Sequence, residues 1–267
     1  MRRKRDNIKE KEAVLELMPD PDNGHLVARR LFRGLAASYD KTVDYATFYQ
    51  DRFWKKWAVD RLAPSEVSLL LDIGCGTLLL EERLHRLNCR FVGIDLSPRM
   101  LMLGRAKGLA NVPLLVNGDA ETLPFAGETF DAAVSCYVPK YVSVYALAKE
   151  LSRVLKPRAR VVFYDFAKPT GISAPILQAY ILVGLHAIGF MLRKAGSGAA
   201  FAFERLPEIV NGTSWDREVT KAMEACGFET LAATPLTAGA VFAYSGRKLT
   251  AHADAHLVRA RIDRGEA

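Results

Sequence analysis

The sequence predicts an α/β fold in which a parallel sheet is covered by helices on both faces, and three observations predict it. Short runs rich in β-formers alternate with helical patterns from Ser68 onward. Several of these runs are apolar at successive positions, as strands buried on both faces are. A chain of 267 residues, 50% hydrophobic and 25% charged, can also sustain its own core, which excludes an extended disordered chain or a collagen-like fibre.

Residues 1–22 are polar and charged and end in Pro19-Asp-Pro-Asp22, a loose lead-in. From about Leu26 to Leu62 the pattern is helical. Leu31, Phe32, Leu35 and Ala36 recur at three and four residues, as do Phe53, Trp54, Trp57 and Ala58, with a break at Ala37-Ser-Tyr-Asp40. Strands are expected at Leu69–Ile73, Phe91–Asp95, Pro113–Asn117, Ala132–Ser135 and Val161–Phe166. Helices are expected between them at Leu79–Leu87, Pro98–Ala106 and Ser143–Leu155. A helix over Trp215–Cys226 precedes two more strands, Thr230–Thr234 and Ala238–Tyr244. One domain over 23–248 is expected, with a helical insertion at about 172–205 and a basic tail at 249–267.

Ala174–Leu192 stands apart: it carries no Lys, Arg, Asp or Glu and is closed by Arg193-Lys194. A helix buried in the protein or lining a cavity is the first reading, an interfacial helix the second and a membrane span the third. Such a segment would suit a pocket for a greasy substrate. The formal net charge is +7, with much of the excess at the ends in Arg2, Arg3, Lys4, Arg5 and then Arg247, Lys248, Arg259, Arg261 and Arg264. Basic tails are drawn to polyanions, nucleic acid or acidic membrane alike, or simply keep a chain soluble. Four scattered cysteines without a C-x-x-C pair argue against a disulfide framework and for a reducing compartment. Of the five histidines only His252 and His256 stand at H-x-x-x-H spacing, in the basic tail, so a metal site has little support. The basic start runs into Asn7–Glu12, so no secretory signal is expected.

The chemistry concentrates in Leu71-Asp-Ile-Gly-Cys-Gly-Thr77, which leaves a strand and opens a helix. Gly74 and Gly76 permit a tight turn and a close ligand. A dinucleotide fingerprint would need a third glycine where Leu79 stands. Asp72 beside the turn would repel a pyrophosphate and suits a ligand with positive charge, such as S-adenosylmethionine with its ammonium and sulfonium. Asp95 ends the next strand at the spacing of a ribose-binding carboxylate, and Asp119 ends the third, within reach of an adenine amino group. Three successive strand ends each bearing an aspartate would converge on one crevice.

Leu71–Thr77, Gly93-Ile-Asp-Leu-Ser-Pro98, Asp119–Phe125, Phe130-Asp131 and Arg153-Val-Leu-Lys-Pro157 together resemble the class I S-adenosylmethionine-dependent methyltransferases. Leu31-Phe-x-x-x-Ala-x-x-Tyr39-Asp40, Arg52-Phe-Trp-Lys-Lys-Trp57, Phe166-Ala-Lys-Pro169, Gly227-Phe-Glu and Leu236-Thr-Ala-Gly239 narrow the resemblance to the ubiquinone/menaquinone biosynthesis C-methyltransferases. The resemblance covers roughly residues 26–248. It implies a Rossmann-like, mostly parallel seven-stranded sheet, with N-terminal helices and the insertion capping the site. It further implies that Gly74, Gly76 and Thr77 line the methionine portion of the cofactor, that Asp95 with Leu96 holds the ribose, and that Asp119 and Ala120 meet the adenine edge. Cys136 would contact the cofactor after the fourth strand and Tyr39 would close over it. S-adenosyl-L-homocysteine would be the product.

Three departures from the family pattern stand out. The glycine after Thr77 is Leu78, which would crowd the methionine end or tighten the helix entry. Two glycines after Lys156-Pro157 are Arg158-Ala159, so that turn should differ or be strained. The Arg-Asn pair after the fourth strand aligns with Lys140-Tyr141. For carbon methylation of a hydroquinone, Lys140 would stabilise a phenolate and Tyr141 would hydrogen-bond it, with Asp165 or His186 as the base. The resemblance implies a prenylated hydroquinone acceptor. A different small or lipidic acceptor, and a non-catalytic membrane-surface or complex subunit, stay open beside it. The expected partner is thus a lipophilic small molecule. Contact with the inner face of a membrane and self-association are open, the setting is cytoplasmic, and nucleic acid is not expected because no Asn-Pro-Pro-Tyr or Asp-Pro-Pro-Tyr motif is present.

Overall fold

The computed structural model describes residues 28–29, 31–32, 35–62, 67–84, 89–109, 114–172, 174–194 and 199–250. The basic ends, Pro113 and the last turn of the helix expected at Leu79–Leu87 lie outside them. Helical residues at 28–29, 31–32 and 35 and a 3-10 turn at Ala36–Ser38 lead into two helices, α1 (Tyr39–Ala46) and α2 (Asp51–Leu62). The α/β body follows as β1 (Leu69–Ile73), α3 (Glu81–Leu84), β2 (Arg90–Asp95), α4 (Pro98–Ala106), β3 (Leu114–Asn117), β4 (Phe130–Cys136), α5 (Val144–Val154) and β5 (Leu155–Phe166). The insertion forms α6 (Ala174–Lys194), with a π-helical turn at Tyr180–Gly184, and α7 (Ala200–Gly212). The chain closes with α8 (Trp215–Ala225), β6 (Phe228–Leu236) and β7 (Val241–Lys248).

All seven strands join one sheet in the order β3-β2-β1-β4-β5-β7-β6. β1 to β5 run parallel, and β7 pairs antiparallel with both β5 and β6. Alternating side chains serve opposite faces. Leu71, Ile73, Val161 and Phe163 pack with α5 and α8 on one side. Leu70, Val162 and Tyr164 pack with Trp54, Ala58 and Leu62 of α2 on the other. Two-sided burial is why these strands read as near-continuous apolar runs in the sequence. Ser97 and Ser143 cap α4 and α5, their hydroxyls accepting from Met100 N at 3.4 Å and Ala146 N at 3.3 Å.

Four expectations need correction. The break expected over Ala37–Asp40 is a 3-10 turn at Ala36–Ser38 and ends earlier than expected, since Tyr39 already starts α1. The chain turns again at Thr47–Gln50, where Phe48 and Tyr49 take positive φ of 48° and 61°. The last strand begins at Val241, because Thr237–Gly239 forms a 3-10 turn with Ala238 at φ 53°. The insertion extends to Gly212. Most important, α6 is not buried: Ile176, Val183, Phe190 and Met191 are all exposed, and less than a fifth of its most apolar stretch is covered. An all-round apolar helix has no hydrophobic stripe from which sequence could assign a buried face.

At Lys156–Ala159 the sheet absorbs the replaced glycines by distortion. Phe130 pairs with Leu155 and Ala132 with Arg160, so a bulge intervenes, and Arg158 sits at φ 67°. The expected strain is present, at a cost of about 1 kcal/mol for a non-glycine residue in that region.

Candidate active site

In an open parallel sheet a crevice forms where the strand order reverses, here between the carboxyl ends of β1 and β4. The turn leaving β1 needs positive φ at Gly74 (72°) and Gly76 (54°). A Cβ on Gly74 would run into Val138 beyond β4, so only glycine lets the two strand ends approach. A cavity of about 700 Å³, counting its open mouth, lies over this crevice. Tyr39, Gly74, Gly76, Asp95, Leu96, Asp119, Ala120 and Cys136 all line it.

Asp95 is fastened in place. Its carboxylate accepts from Gly76 N at 2.9 Å and from Ser97 N at 2.8 Å. Burial pushes its pKa up to about 6 against those two bonds. Asp119 closes a turn by accepting from Glu121 N at 2.9 Å. Burial raises the Cys136 thiol, which keeps it protonated.

Two expected cofactor residues stand elsewhere. Asp72 is buried behind the turn against Glu81 and does not line the cavity. β1 alternation directs it to the face opposite Leu71 and Ile73. Burial and the neighbouring Glu81 raise its pKa, and burial pushes Glu81 up to about 7. Neither Glu81 oxygen finds a donor while both groups are ionised, so the pair bonds only by retaining a proton. Thr77 is also off the cavity, its hydroxyl donating to Asp40 at 2.5 Å and so tying the turn to α1. Leu78 does not crowd the cavity. At φ 63° it turns into a small core with Cys75 and Leu101, against Gly104, where any Cβ would collide with it.

A second cavity, about 610 Å³ with its mouth, adjoins the first and shares Phe32, Tyr39, Tyr137 and Tyr141 with it. Its remaining wall is mostly apolar, including Leu35, Val43, Phe166, Phe203 and Leu206, with the hydroxyls of Thr42 and Thr47 and one charged group, Lys140. Lys140 is buried. Its Nζ donates to Asp165 Oδ1 at 2.6 Å and to the Tyr137 carbonyl at 2.9 Å, and lies 4.3 Å from the Tyr141 ring centroid. Burial pulls each member of this pair toward its neutral form, and the partner's charge pulls back. Asp165 also accepts from Lys140 N at 3.1 Å and Phe166 N at 2.7 Å, and it is absent from the cavity wall. It holds Lys140 and does not face an acceptor. Tyr141 lines both cavities, and burial raises its phenol.

His186 is not a base for this site. It lies on the exposed side of α6, its Nδ1 donating to the Leu182 carbonyl, and lines neither cavity. Sequence reasoning missed Tyr137, which lines both cavities at φ 66°. Its hydroxyl donates to Asp51 at 2.6 Å, Tyr164 adds a bond at 3.1 Å, and Lys55 pairs with the same carboxylate. The available signal was in α2, where helical spacing places charged Asp51 and Lys55 on the buried face with Trp54, Ala58 and Leu62. Arg29 on the first cavity was also missed.

The first cavity fits a sulfonium nucleoside. It presents the carboxylates of Asp95 and Asp119 at adjacent strand ends, an apolar wall at Leu96, Met100 and Ala120, and a turn where glycine admits close approach. A pyrophosphate would set its charge beside Asp95. Residues 71–163 match the methyltransferase domain family. The demethylmenaquinone methyltransferase of Tropheryma whipplei (strain Twist) is 32% identical over 217 residues, 80% of this chain and 88% of that protein. The ubiquinone/menaquinone biosynthesis C-methyltransferase UbiE of Syntrophotalea carbinolica is 33% identical over 225 residues, 82% and 92% of the two chains. The fold is shared with an S-adenosylmethionine-dependent methyltransferase from Aquifex aeolicus at TM-score 0.53 and 16% identity, over 73% of this chain and 89% of that one. Together with the crevice, its carboxylates and its glycine turn, these similarities show that the chain belongs to the ubiquinone/menaquinone biosynthesis C-methyltransferase family and is an S-adenosylmethionine-dependent enzyme.

Proposed function

We propose that the chain methylates a ring carbon of a prenylated hydroquinone of the demethylmenaquinol or ubiquinone-precursor kind, working in the cytoplasm at the inner face of a membrane. The observation that carries this reading is the second cavity: apolar, adjoining the cofactor crevice, and with a lone buried cation in its wall. The names of the relatives at about one-third identity support the same acceptor class.

S-adenosylmethionine, when bound, supplies an electrophilic methyl group. The chain's part is positioning and electrostatics. Asp95 would hold the ribose and Asp119 with Ala120 the adenine edge. Tyr39, Tyr137 and Tyr141, at the boundary of the two cavities, would orient the acceptor ring and exclude water. A phenol in water loses its proton near pH ~10. The Lys140 ammonium would lower that barrier and stabilise the phenolate, the hydroxyl proton passing to water at the open mouth of the cavity; the phenolate charge makes the neighbouring ring carbon nucleophilic, and that carbon's own proton leaves to water after methyl transfer. Asp165 keeps the ammonium aimed and charged.

Labelled cofactor tests the reading. Methyl label should appear on carbon in demethylmenaquinol, and Asp95→Ala should lose cofactor binding. Retained cofactor binding without transfer to any quinol would remove it. Lys140-Tyr141, in place of the family's Arg-Asn, favours a second reading with another lipidic phenol as acceptor. Transfer to such a phenol and not to demethylmenaquinol would select it.

A further inference from the structure

The face of α6 that the protein leaves uncovered has a pattern of its own. Its buried side runs Ile181, Leu185 and Gly189, at steps of four, against Leu35, Ala199 and Phe203. At Gly189 the approach is so close that a Cβ would meet Glu204 Cγ at 2.7 Å. The opposite side runs Ile176, Ala179, Val183, Ala187, Phe190 and Lys194, also at steps of three and four. Ile176 is 76% exposed, Val183 69% and Phe190 57%, far more than scattered surface apolar residues require.

A second element joins this face. The turn between α1 and α2 holds Phe48 and Tyr49 in left-handed backbone, a conformation that costs a non-glycine residue about 1 kcal/mol, and Phe48 is left 68% exposed. The Phe48 ring packs on Tyr180 of α6 at 5.3 Å, and the Tyr180 hydroxyl donates to the Ala46 carbonyl at 2.9 Å. Ala46 and Thr47 in turn line the second cavity. The exposed apolar face therefore reaches the rim of the acceptor cavity.

Charge selects the occupant. α6 carries no acidic residue. At its end Lys194 lies 4.6 Å over the Phe190 ring, and at the turn Arg52 lies 4.8 Å over Tyr49. Lys168, before α6, is exposed. Among the described residues, Glu204 pairs with Arg193 and Asp44 is 3.5 Å from Arg52. Exposed aliphatic side chains flanked by aromatics with cations above them match the depth profile of a bilayer interface, where rings sit at the headgroups and long basic chains reach anionic lipid.

We propose that the exposed face of α6 and the Phe48–Tyr49 turn form one docking surface for an anionic lipid bilayer, delivering a membrane-dissolved acceptor directly to the mouth of the second cavity. This deepens the quinol reading and rests on it for the delivery, though the docking itself does not need it. A tailed acceptor would then move laterally from lipid into the Ala46–Thr47 rim without its tail crossing water.

Flotation of the full chain with phosphatidylcholine vesicles containing phosphatidylglycerol tests the surface. The wild type should float with them, and less with phosphatidylcholine alone or at raised salt. The double variant Val183→Asp/Phe190→Asp should bind at least about 10-fold more weakly, since a carboxylate in the apolar zone opposes insertion. Neither residue lines a cavity, so turnover with an acceptor analogue lacking the prenyl tail should stay within about twofold, which also shows that the variant is folded. Wild type that stays in the aqueous fraction, or a variant that floats equally well, overturns the proposal. So does a dimer in solution that the double variant splits, because a second copy then covers the face. A chain that floats yet methylates no quinol leaves the docking standing and removes the acceptor; quinol turnover in detergent without flotation does the reverse.

Discussion

Lys140→Met separates what the buried pair does for stability from what it does for the reaction. Lys140 is 5% exposed and Asp165 0%. The substitution removes the 2.6 Å ion pair and leaves the carboxylate with two backbone donors, Lys140 N at 3.1 Å and Phe166 N at 2.7 Å. Stranding one member of a buried pair costs about 3–5 kcal/mol. At roughly 2–4 °C per kcal/mol for a domain of this size, Tm should fall by roughly 10 °C. The pH dependence has a definite sign. Burial already raises Asp165, and loss of the ammonium raises it further above its unfolded value. A carboxyl whose folded pKa is raised contributes stability at low pH and loses it as pH rises through that value. The variant should therefore lie close to wild type at about pH 5 and furthest below it at about pH 8.

Asp165→Leu should be similarly costly, because it strands the ammonium. Lys140→Met/Asp165→Leu should recover most of the stability, since apolar residues of similar volume replace buried pairs at little loss. Turnover should not recover: without a cation at the acceptor cavity, kcat should stay about 10²–10³-fold down, the usual cost of losing one preorganised charge-stabilising group. Urea unfolding of the four proteins at both pH values, with labelled-methyl transfer alongside, measures all of this. Single variants costing less than about 1 kcal/mol, with a double variant equal to their sum, would refute the reasoning, because the pair would then be no stronger than a solvated surface contact.

Two further predictions concern the cofactor side. Asp95 is pushed up to about 6, so its carboxylate form prevails only above that value. Cofactor affinity by calorimetry should rise up to about 10-fold between about pH 5 and pH 7, and Asp95→Asn should flatten that rise. Glu81 is pushed up to about 7, so the stability its neutral form provides is lost as pH rises through that value. Glu81→Gln, which keeps a donor toward Asp72 at every pH, should be more stable than wild type by about 1–3 kcal/mol at about pH 8 in chemical unfolding, with little difference at about pH 5.

Much of the sheet and one half of the site were legible in the residues. Four of the five parallel strands announced themselves because burial on both faces demands unbroken apolar runs, and Leu69–Ile73 was placed to the residue, whereas β3, at the sheet edge, is half exposed. Gly74, Gly76, Asp95 and Asp119 were legible because strand ends in a parallel sheet share an edge, so position along the chain implies position in space. What a side chain faces when it does not end a strand was left to the tertiary structure. Strand alternation sends Asp72 behind the turn to Glu81, and a hydroxyl bond across 37 positions draws Thr77 to Asp40. Lys140 and Asp165, 25 residues apart, become partners only because β4 and β5 are neighbours. The apolar uniformity that made α6 conspicuous also hid its orientation, since a helix greasy all round acquires an inside and an outside only from what packs against it.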